Sequence, residues 1–261
     1  MTEIVTSNET FEASRVAPHV ILVRIVARPL GVFTVAGRRA LAAFLSTVDA
    51  AHGARCVILT GTGASFSAGS NIKEFEATAE WLESARQAET HLNETIELGP
   101  VPVIAACNGH VLGGGAVMAL ACDIRIACRS ATFGVPEVML GAMPTATGTM
   151  RLPMLAGRGA ALKLILTGEP ITAEEAYRLG LFEEIVDDGE LMPRALAIAT
   201  RIAAVSPMAV RAARRCLATG LRQGYDAGLA LEAQLTTPLG LSDDAIEGKA
   251  AFVAKRPPVF R

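Results

Sequence analysis

Along the chain two hydrophobic rhythms alternate. The run His19-Val20-Ile21-Leu22-Val23-Arg24-Ile25-Val26-Ala27 is rich in β-branched residues and stops at Pro29, which predicts a strand. From Gly37 to Ala51 apolar residues recur at helical spacing (Leu41, Phe44, Leu45, Val48), and Cys56-Val57-Ile58-Leu59-Thr60 is a continuous apolar run bounded by glycine. The alternation then repeats. A charged helical stretch over Thr78–Glu97 precedes Val101-Pro102-Val103-Ile104-Ala105-Ala106; a helix over Ala116–Ala121 precedes Asp123-Ile124-Arg125-Ile126-Ala127. Buried strands separated by helices predict an α/β fold with largely parallel pairing. Residues 1–17 are polar and lack a clear period, so the ordered fold is expected to begin near residue 18.

Beyond Pro153 the sequence turns helix-forming. Helices are expected over Gly159–Leu166, Thr172–Leu179 (Thr172 as N-cap, Glu175 three residues on), Leu191–Val205 and Pro207–Gly220. The chain closes on the basic segment Ala251-Phe252-Val253-Ala254-Lys255-Arg256-Pro257-Pro258-Val259-Phe260-Arg261, whose prolines cannot continue a helix and which could dock on a ligand or a neighbouring subunit. No solenoid-type repeat or low-complexity linker stands out.

Composition narrows the function. The 261 residues carry 24 Lys+Arg against 26 Asp+Glu, a net charge of −2, and no basic–aromatic interleaving, so a nucleic-acid role is not supported. With 51% hydrophobic and 19% charged residues, a large core is available and disorder is excluded as the main state. Leu98–Cys122 lacks Lys, Arg, Asp and Glu, but two prolines and a glycine triplet make it a strand, turn and helix rather than a membrane span. Five cysteines with no C-x-x-C spacing, and an N-terminus without a basic or apolar leader, point to reduced thiols and a cytoplasmic protein. No H-x-x-x-H, H-E-x-x-H or cysteine cluster predicts a metal site.

Two glycine-bearing turns follow strands and lead toward helices: Thr60-Gly61-Thr62-Gly63-Ala64-Ser65-Phe66-Ser67-Ala68-Gly69-Ser70-Asn71 and Asn108-Gly109-His110-Val111-Leu112-Gly113-Gly114-Gly115. Glycine lets backbone N–H groups approach a ligand, and a helix N-terminus adds partial positive charge, so two such turns side by side could hold one oxyanion. The alternative is that the glycines only permit tight packing. Neither turn matches a dinucleotide fingerprint or P-loop, and no G-x-S-x-G elbow makes a serine the nucleophile.

Taken together, these turns and the segments after them resemble the crotonase superfamily, the enoyl-CoA hydratase/isomerase family, over nearly the whole chain. The resemblance rests on Phe66–Glu74, Gly109–Gly115 with Ala121–Ala127, Phe133-Gly134-Val135-Pro136-Glu137-Val138-Met139-Leu140-Gly141, Leu166–Ala176, Gly180-Leu181-Phe182 and the ending Phe252-Val253-Ala254-Lys255-Arg256. It implies an α/β crotonase fold: a flexible extension over 1–17, a spiral of ββα units over 18–200 forming the catalytic core, and a helical oligomerisation region over 201–261. It also implies trimers or dimers of trimers, and an acyl-CoA thioester as substrate with coenzyme A part of it rather than a separate cofactor. The backbone N–H groups of Ser70 and Gly114 would form an oxyanion hole for a thioester enolate. Ala68, Lys73, Phe252 and Lys255 match the family's CoA contacts, some often supplied by a neighbouring subunit; ordinary solvated lysine or packed phenylalanine is the alternative.

The departures bear on the reaction. Family hydratases carry one glutamate two residues after the glycine triplet and a second in the Phe-Gly-x-Pro-Glu segment; here these are Val117 and Glu137. One carboxylate suffices to move a proton from Cα to Cγ, whereas hydration ordinarily shares its work between two. The sequence therefore favours Δ3-Δ2 enoyl-CoA isomerisation with Glu137 as shuttle, its pKa raised by apolar neighbours. The alternatives are a 2-enoyl-CoA hydratase and, from another class, a non-catalytic acyl-CoA-binding protein; decarboxylation or thioester hydrolysis would reuse the same hole. Thr145 replaces the carboxylate of the ring-isomerising and dehalogenating branches, and Pro144-Thr145-Ala146-Thr147-Gly148 has lost two glycines. Asn71, Ile72, His110, Val117 and Thr145 are candidate pocket residues. His91 is a weaker one, and His19 and His52 read as structural or exposed.

Overall fold

The structure is a computed structural model that describes residues 3–261. Two sheets organise it. The larger takes seven strands in the order β1-β2-β3-β4-β6-β8-β11. These are β1 (Glu3–Ser7), β2 (Phe11–Ala17), β3 (Val20–Ile25), β4 (Cys56–Thr60), β6 (Val103–Cys107), β8 (Ile124–Cys128) and β11 (Glu184–Val186). Pairing is antiparallel through β3 and parallel from β3 to β11. The smaller sheet runs β10-β9-β7-β5, from β5 (Ser65–Ser67), β7 (His110–Leu112), β9 (Thr132–Gly134) and β10 (Ile171–Thr172).

The predicted alternation is present, and it contains a repeat. Three times the chain lays one strand in the large sheet, the next in the small sheet, and then a helix: β4, β5 and α2 (Ala79–Leu98); β6, β7 and α3 (Gly114–Ala121); β8, β9 and α4 (Gly148–Thr167). This is a ββα spiral. The central strands β4 and β6 are buried at every position, as runs sandwiched on both faces must be. The first helix, α1 (Val35–His52), starts where the Thr34 hydroxyl accepts from Gly37 N–H and stops at Gly53 in the left-handed region. The expected cap of α5 (Ala173–Arg178) also forms, Thr172 Oγ1 accepting from Glu175 N–H at 3.2 Å.

Several expectations need correction. The fold does not begin at residue 18: β1 and β2 form a hairpin on β3, and Phe11 and Ala13 lie in the core. Asn8 turns that hairpin by accepting from the N–H groups of Thr10 and Phe11. The boundary at 200/201 falls inside α6 (Leu191–Ala203), whose face packs on β3, β4, β6 and β8; the turn before α7 (Pro207–Gln223) is the natural break. Two further helices, α8 (Tyr225–Gly240) and α9 (Asp243–Val253), complete the C-terminal region. The segment expected as a single helix over Gly159–Leu166 is the second half of α4, which breaks at Gly157 (φ 76°). Among the described residues no single helix is long and apolar enough to cross a membrane, and Leu98–Cys122 folds as the end of α2, then β6, β7 and α3.

Close backbone contact joins the repeats. A Cβ on Gly115, at the start of α3, would stand 2.3 Å from the Ser67 carbonyl oxygen at the end of β5. Gly115→Ala should therefore cost at least about 2 kcal/mol in denaturant or thermal unfolding. Gly159→Ala, where added bulk meets open space, should be neutral or stabilising.

Candidate active site

The small sheet builds the site by its register. β5, β7 and β9 are parallel, with Ser67 opposite Val111 and Val111 opposite Phe133. The residues that follow, Ala68-Gly69-Ser70, Leu112-Gly113-Gly114 and Gly134-Val135-Pro136-Glu137, are thereby delivered to one edge, at the C-terminal ends of parallel strands where α/β folds place ligands. Gly113 N–H donates to the Gly134 carbonyl at 2.9 Å and fixes the second turn against the third. Gly69 (φ 92°) approaches so near the second turn that a Cβ there would lie 2.7 Å from Gly114 N. Asn108 stitches the first turn shut, accepting from Gly61 N–H and donating to the Gly63 carbonyl, each at 2.9 Å.

Convergence leaves two donors unused. Neither Ser70 N–H nor Gly114 N–H finds an acceptor among the described residues, although Phe33 N–H donates to the Gly69 carbonyl and Asn71 N–H to the Phe33 carbonyl on either side of Ser70. Gly114 is the first residue of α3, where N–H groups have no partner within the helix and the helix dipole is positive. Two such donors, with positions fixed by glycine contact, can together bind one oxyanion. The Ser70 hydroxyl, meanwhile, accepts from Arg38 Nη2 at 3.0 Å.

Glu137 sits one residue into a short 3-10 turn, Pro136–Leu140, and its carboxylate faces the glycine triplet: a Cβ on Gly113 would lie 3.4 Å from Glu137 Oε1. Oε2 is buried without a hydrogen-bond partner. Burial raises the Glu137 pKa to about 7, with the nearby charge of Glu89 adding to the rise and its own backbone N–H opposing it. A carboxyl tuned this way can both hold and release a proton near neutrality.

A buried ion pair that the sequence reading missed completes the edge. Arg38 of α1 and Glu89 of α2 lie 3.5 Å apart, with side chains only 5% and 12% exposed. A Cβ on Gly114 would meet Glu89 Oε1 at 2.4 Å and Arg38 Nη2 at 2.9 Å, so the pair stands directly over the oxyanion turn. The signal was available. Arg38 falls on the same apolar stripe as Leu41, Leu45 and Val48, and Glu89 borders the buried stripe Ala88, Leu92 and Ile96.

The remaining candidates divide. Ala68 lies at the edge, its carbonyl 3.7 Å from a Cβ on Gly113. Asn71 caps the short turn Ile72–Glu74 by accepting from Lys73 N–H, and Ile72 and Lys73 are exposed beside it. Val117 is fully buried, its methyl 2.7 Å from a Cβ on Gly148, so position 117 is part of the α3–α4 packing. Thr145 accepts from Gly148 N–H in a loop where Ala146 (φ 49°) and Thr147 (φ 79°) adopt the left-handed conformation that glycine would take without strain. Asn93 holds this loop, donating to the Ala146 carbonyl at 3.1 Å. His110 is not brought to the triplet: it stands at the far end of β7, exposed, its Nδ1 paired with Thr132 Oγ1 at 2.9 Å. Phe252, 85% exposed near the end of α9, and Lys255, exposed just after it, are joined to the glycine turns by no hydrogen bond. Among the described residues no group of three or more His, Cys, Asp or Glu is placed to hold a metal ion.

Comparison with known proteins agrees with this architecture. The family profile described as enoyl-CoA hydratase/isomerase matches residues 19–261. The chain is 40% identical over 203 residues to the short-chain-enoyl-CoA hydratase of Clostridium acetobutylicum, covering 77% of each protein. It is 38% identical over 206 residues to the 2,3-dehydroadipyl-CoA hydratase of Escherichia coli, covering 79% of this chain and 80% of that one. The crystal structure of an enoyl-CoA hydratase from Bacillus anthracis superposes with a TM-score of 0.91 at 37% identity, covering 96% of this chain and 98% of that one. The strand register, the paired glycine turns and these likenesses lead to one conclusion: the chain belongs to the enoyl-CoA hydratase/isomerase family and has the crotonase fold.

Proposed function

We propose that the protein adds water to a 2-enoyl-CoA thioester, with Ser70 and Gly114 N–H groups binding the thioester oxygen and Glu137 exchanging a proton with Cα. The observation that carries this reading is the Glu137 carboxyl: poised near neutrality, with one oxygen unpartnered, beside two unused backbone donors. As negative charge moves onto the thioester oxygen, fixed donors stabilise it without reorganising, about 3–4 kcal/mol each by the usual mutational measure. Hydration is preferred to the isomerisation that Val117 alone favours on two grounds. Relatives at 38–40% identity are named as hydratases, and a second carboxylate, Glu89, faces the turn. Isomerisation is the second reading, supported by the apolar side chain at position 117. The exposed apolar residues Leu217, Leu221, Tyr225 and Leu229 of α7 and α8, along a cleft of about 630 Å³, would be covered in a trimer or dimer of trimers. Lys73, Phe252 and Lys255 would meet the CoA moiety, with no cofactor beyond the substrate's own and a cytoplasmic location.

In heavy-oxygen water with 2-enoyl- and 3-enoyl-CoA thioesters, the wild type should gain labelled oxygen on 2-enoyl substrates, and Glu137→Gln should lose the reaction by at least about 100-fold. Double-bond migration without mass gain would instead establish the isomerase.

The raised pKa has a stability consequence of definite sign. Glu137 binds its proton more tightly folded (about 7) than at its ordinary value of 4.5, so it favours folding at low pH, and that contribution is lost as pH rises through 7. Glu137→Gln should match the wild type in unfolding free energy at pH 4 and exceed it by about 1–3 kcal/mol at pH 8. For the same reason, hydration by the wild type should decline as pH rises past 7, because the acid form that protonates Cα is depleted.

A further inference from the structure

The family's first catalytic carboxylate is absent at position 117, yet a carboxylate still stands over the oxyanion turn, brought there by a different helix. We infer that Glu89, oriented by Arg38, is the second acid–base residue of this site and activates the water that adds to the substrate. The inference rests on the hydratase reading above and assigns it a residue.

Three observations carry it. The first is placement. Glu89 Oε1 lies 2.4 Å from a Cβ on Gly114, and Glu137 Oε1 lies 3.4 Å from a Cβ on Gly113, so the two carboxylates address consecutive residues of the turn whose second N–H would bind the thioester oxygen. The second is that Glu89 is held. Arg38 pairs with it at 3.5 Å while donating to Ser70 Oγ at 3.0 Å, so one guanidinium ties the carboxylate to the other half of the oxyanion site, with its own plane 5.9 Å over the Phe33 ring. Arg38 is in turn positioned because the start of α1 is tied to the first turn and the segment after it, Phe33 N–H donating to the Gly69 carbonyl and Val35 N–H to Glu74 Oε2. The third is a difference in surroundings: Glu137 Oε2 is buried with no hydrogen-bond partner, whereas Glu89 is paired with a guanidinium. A structural ion pair could have been placed anywhere along α1 and α2; this one lies against Gly114, which carries one of the two free donors, and reaches by Arg38 to Ser70, which carries the other.

In the step, a Glu89 oxygen takes a proton from water as the water oxygen bonds to C3. The C2–C3 π pair moves through Cα onto the thioester oxygen, which is bound by the N–H groups of Ser70 and Gly114. Glu137 then gives its proton to Cα and the carbonyl re-forms. One water is added, and solvent exchange returns the proton from Glu89 and replaces that of Glu137. Glu89 is the catalytic residue here, and Arg38 a positioning residue acting through it.

The test separates water activation from Cα chemistry. Hydration of a short 2-enoyl-CoA is measured beside exchange of the α-protons of the saturated acyl-CoA in deuterium oxide, which requires the oxyanion site and Glu137 but no added water. Glu89→Gln should lose hydration by about 100-fold or more while keeping exchange within about threefold; Glu137→Gln should lose both. Because removing one buried partner strands the other's charge, Arg38→Met with Glu89→Gln is measured too, and should behave as Glu89→Gln does. Hydration within threefold of wild type in either variant overturns the assignment, as does equal loss of hydration and exchange in both, the mark of a merely structural pair. A wild type that exchanges α-protons but hydrates nothing overturns the hydratase reading itself, and the role of Glu89 with it.

Discussion

The contact on which everything else depends is backbone against backbone: Gly69 against Gly114, and Gly115 against Ser67. A side chain at Gly69 or Gly115 would drive the two turns apart, and with them the two N–H groups that remain without acceptors among the described residues. The parallel pairing of β5, β7 and β9 aims the three segments, but register alone leaves strands about 4.8 Å apart. Absence of Cβ atoms lets the turns pack backbone against backbone and fixes their donors before any substrate arrives.

Around this contact, burial does the electrostatic work. The Glu137 carboxyl is held at a neutral-range pKa because the site withholds water and leaves Oε2 unpaired, at a cost to stability that the packed core of two sheets must carry. Burial in the core likewise makes the thiols of Cys56 and Cys122 poor nucleophiles, pushed up to about 12. The loop Pro144–Gly148 shows strain held in place nearby. Two residues with side chains occupy left-handed conformations there, pinned by Asn93 and by Arg151, which donates to Thr147 Oγ1 at 2.6 Å and pairs with Glu97. Such strain concentrates where local geometry serves a site.

How much of this could be read in the sequence depended on how each signal is written. The continuous runs Cys56–Thr60 and Val101–Ala106 declared buried parallel strands because both faces are covered, and the glycine turns were visible as motifs. The β1–β2 hairpin was not, since its inward positions include small Ala13 and its polar residues face a half-exposed edge. Helix α8 hid because Gly228, Thr236, Thr237 and Pro238 weaken its helix-forming composition, although Leu231, Leu235 and Leu239 recur every four residues on its half-buried side. Glu89 was lost for the opposite reason: within the charged run of α2 it reads as solvated surface, and only the inward stripe of Ala88, Leu92 and Ile96 beside it betrays its direction. The role proposed for Ser70 and Gly114 came from the family resemblance, and the close contact of their two turns from the structure.

The central claim is that two backbone N–H groups polarise a thioester carbonyl, and side-chain substitution cannot remove them. Isotope-edited infrared difference spectroscopy addresses them directly, using a thioester labelled with carbon-13 at the carbonyl and bound to Glu137→Gln so that the complex does not turn over. The account predicts a carbonyl band displaced to lower frequency than the same thioester shows in water, as two fixed donors in a dry site demand. A band at the aqueous position, with binding demonstrated in the same sample, would contradict it.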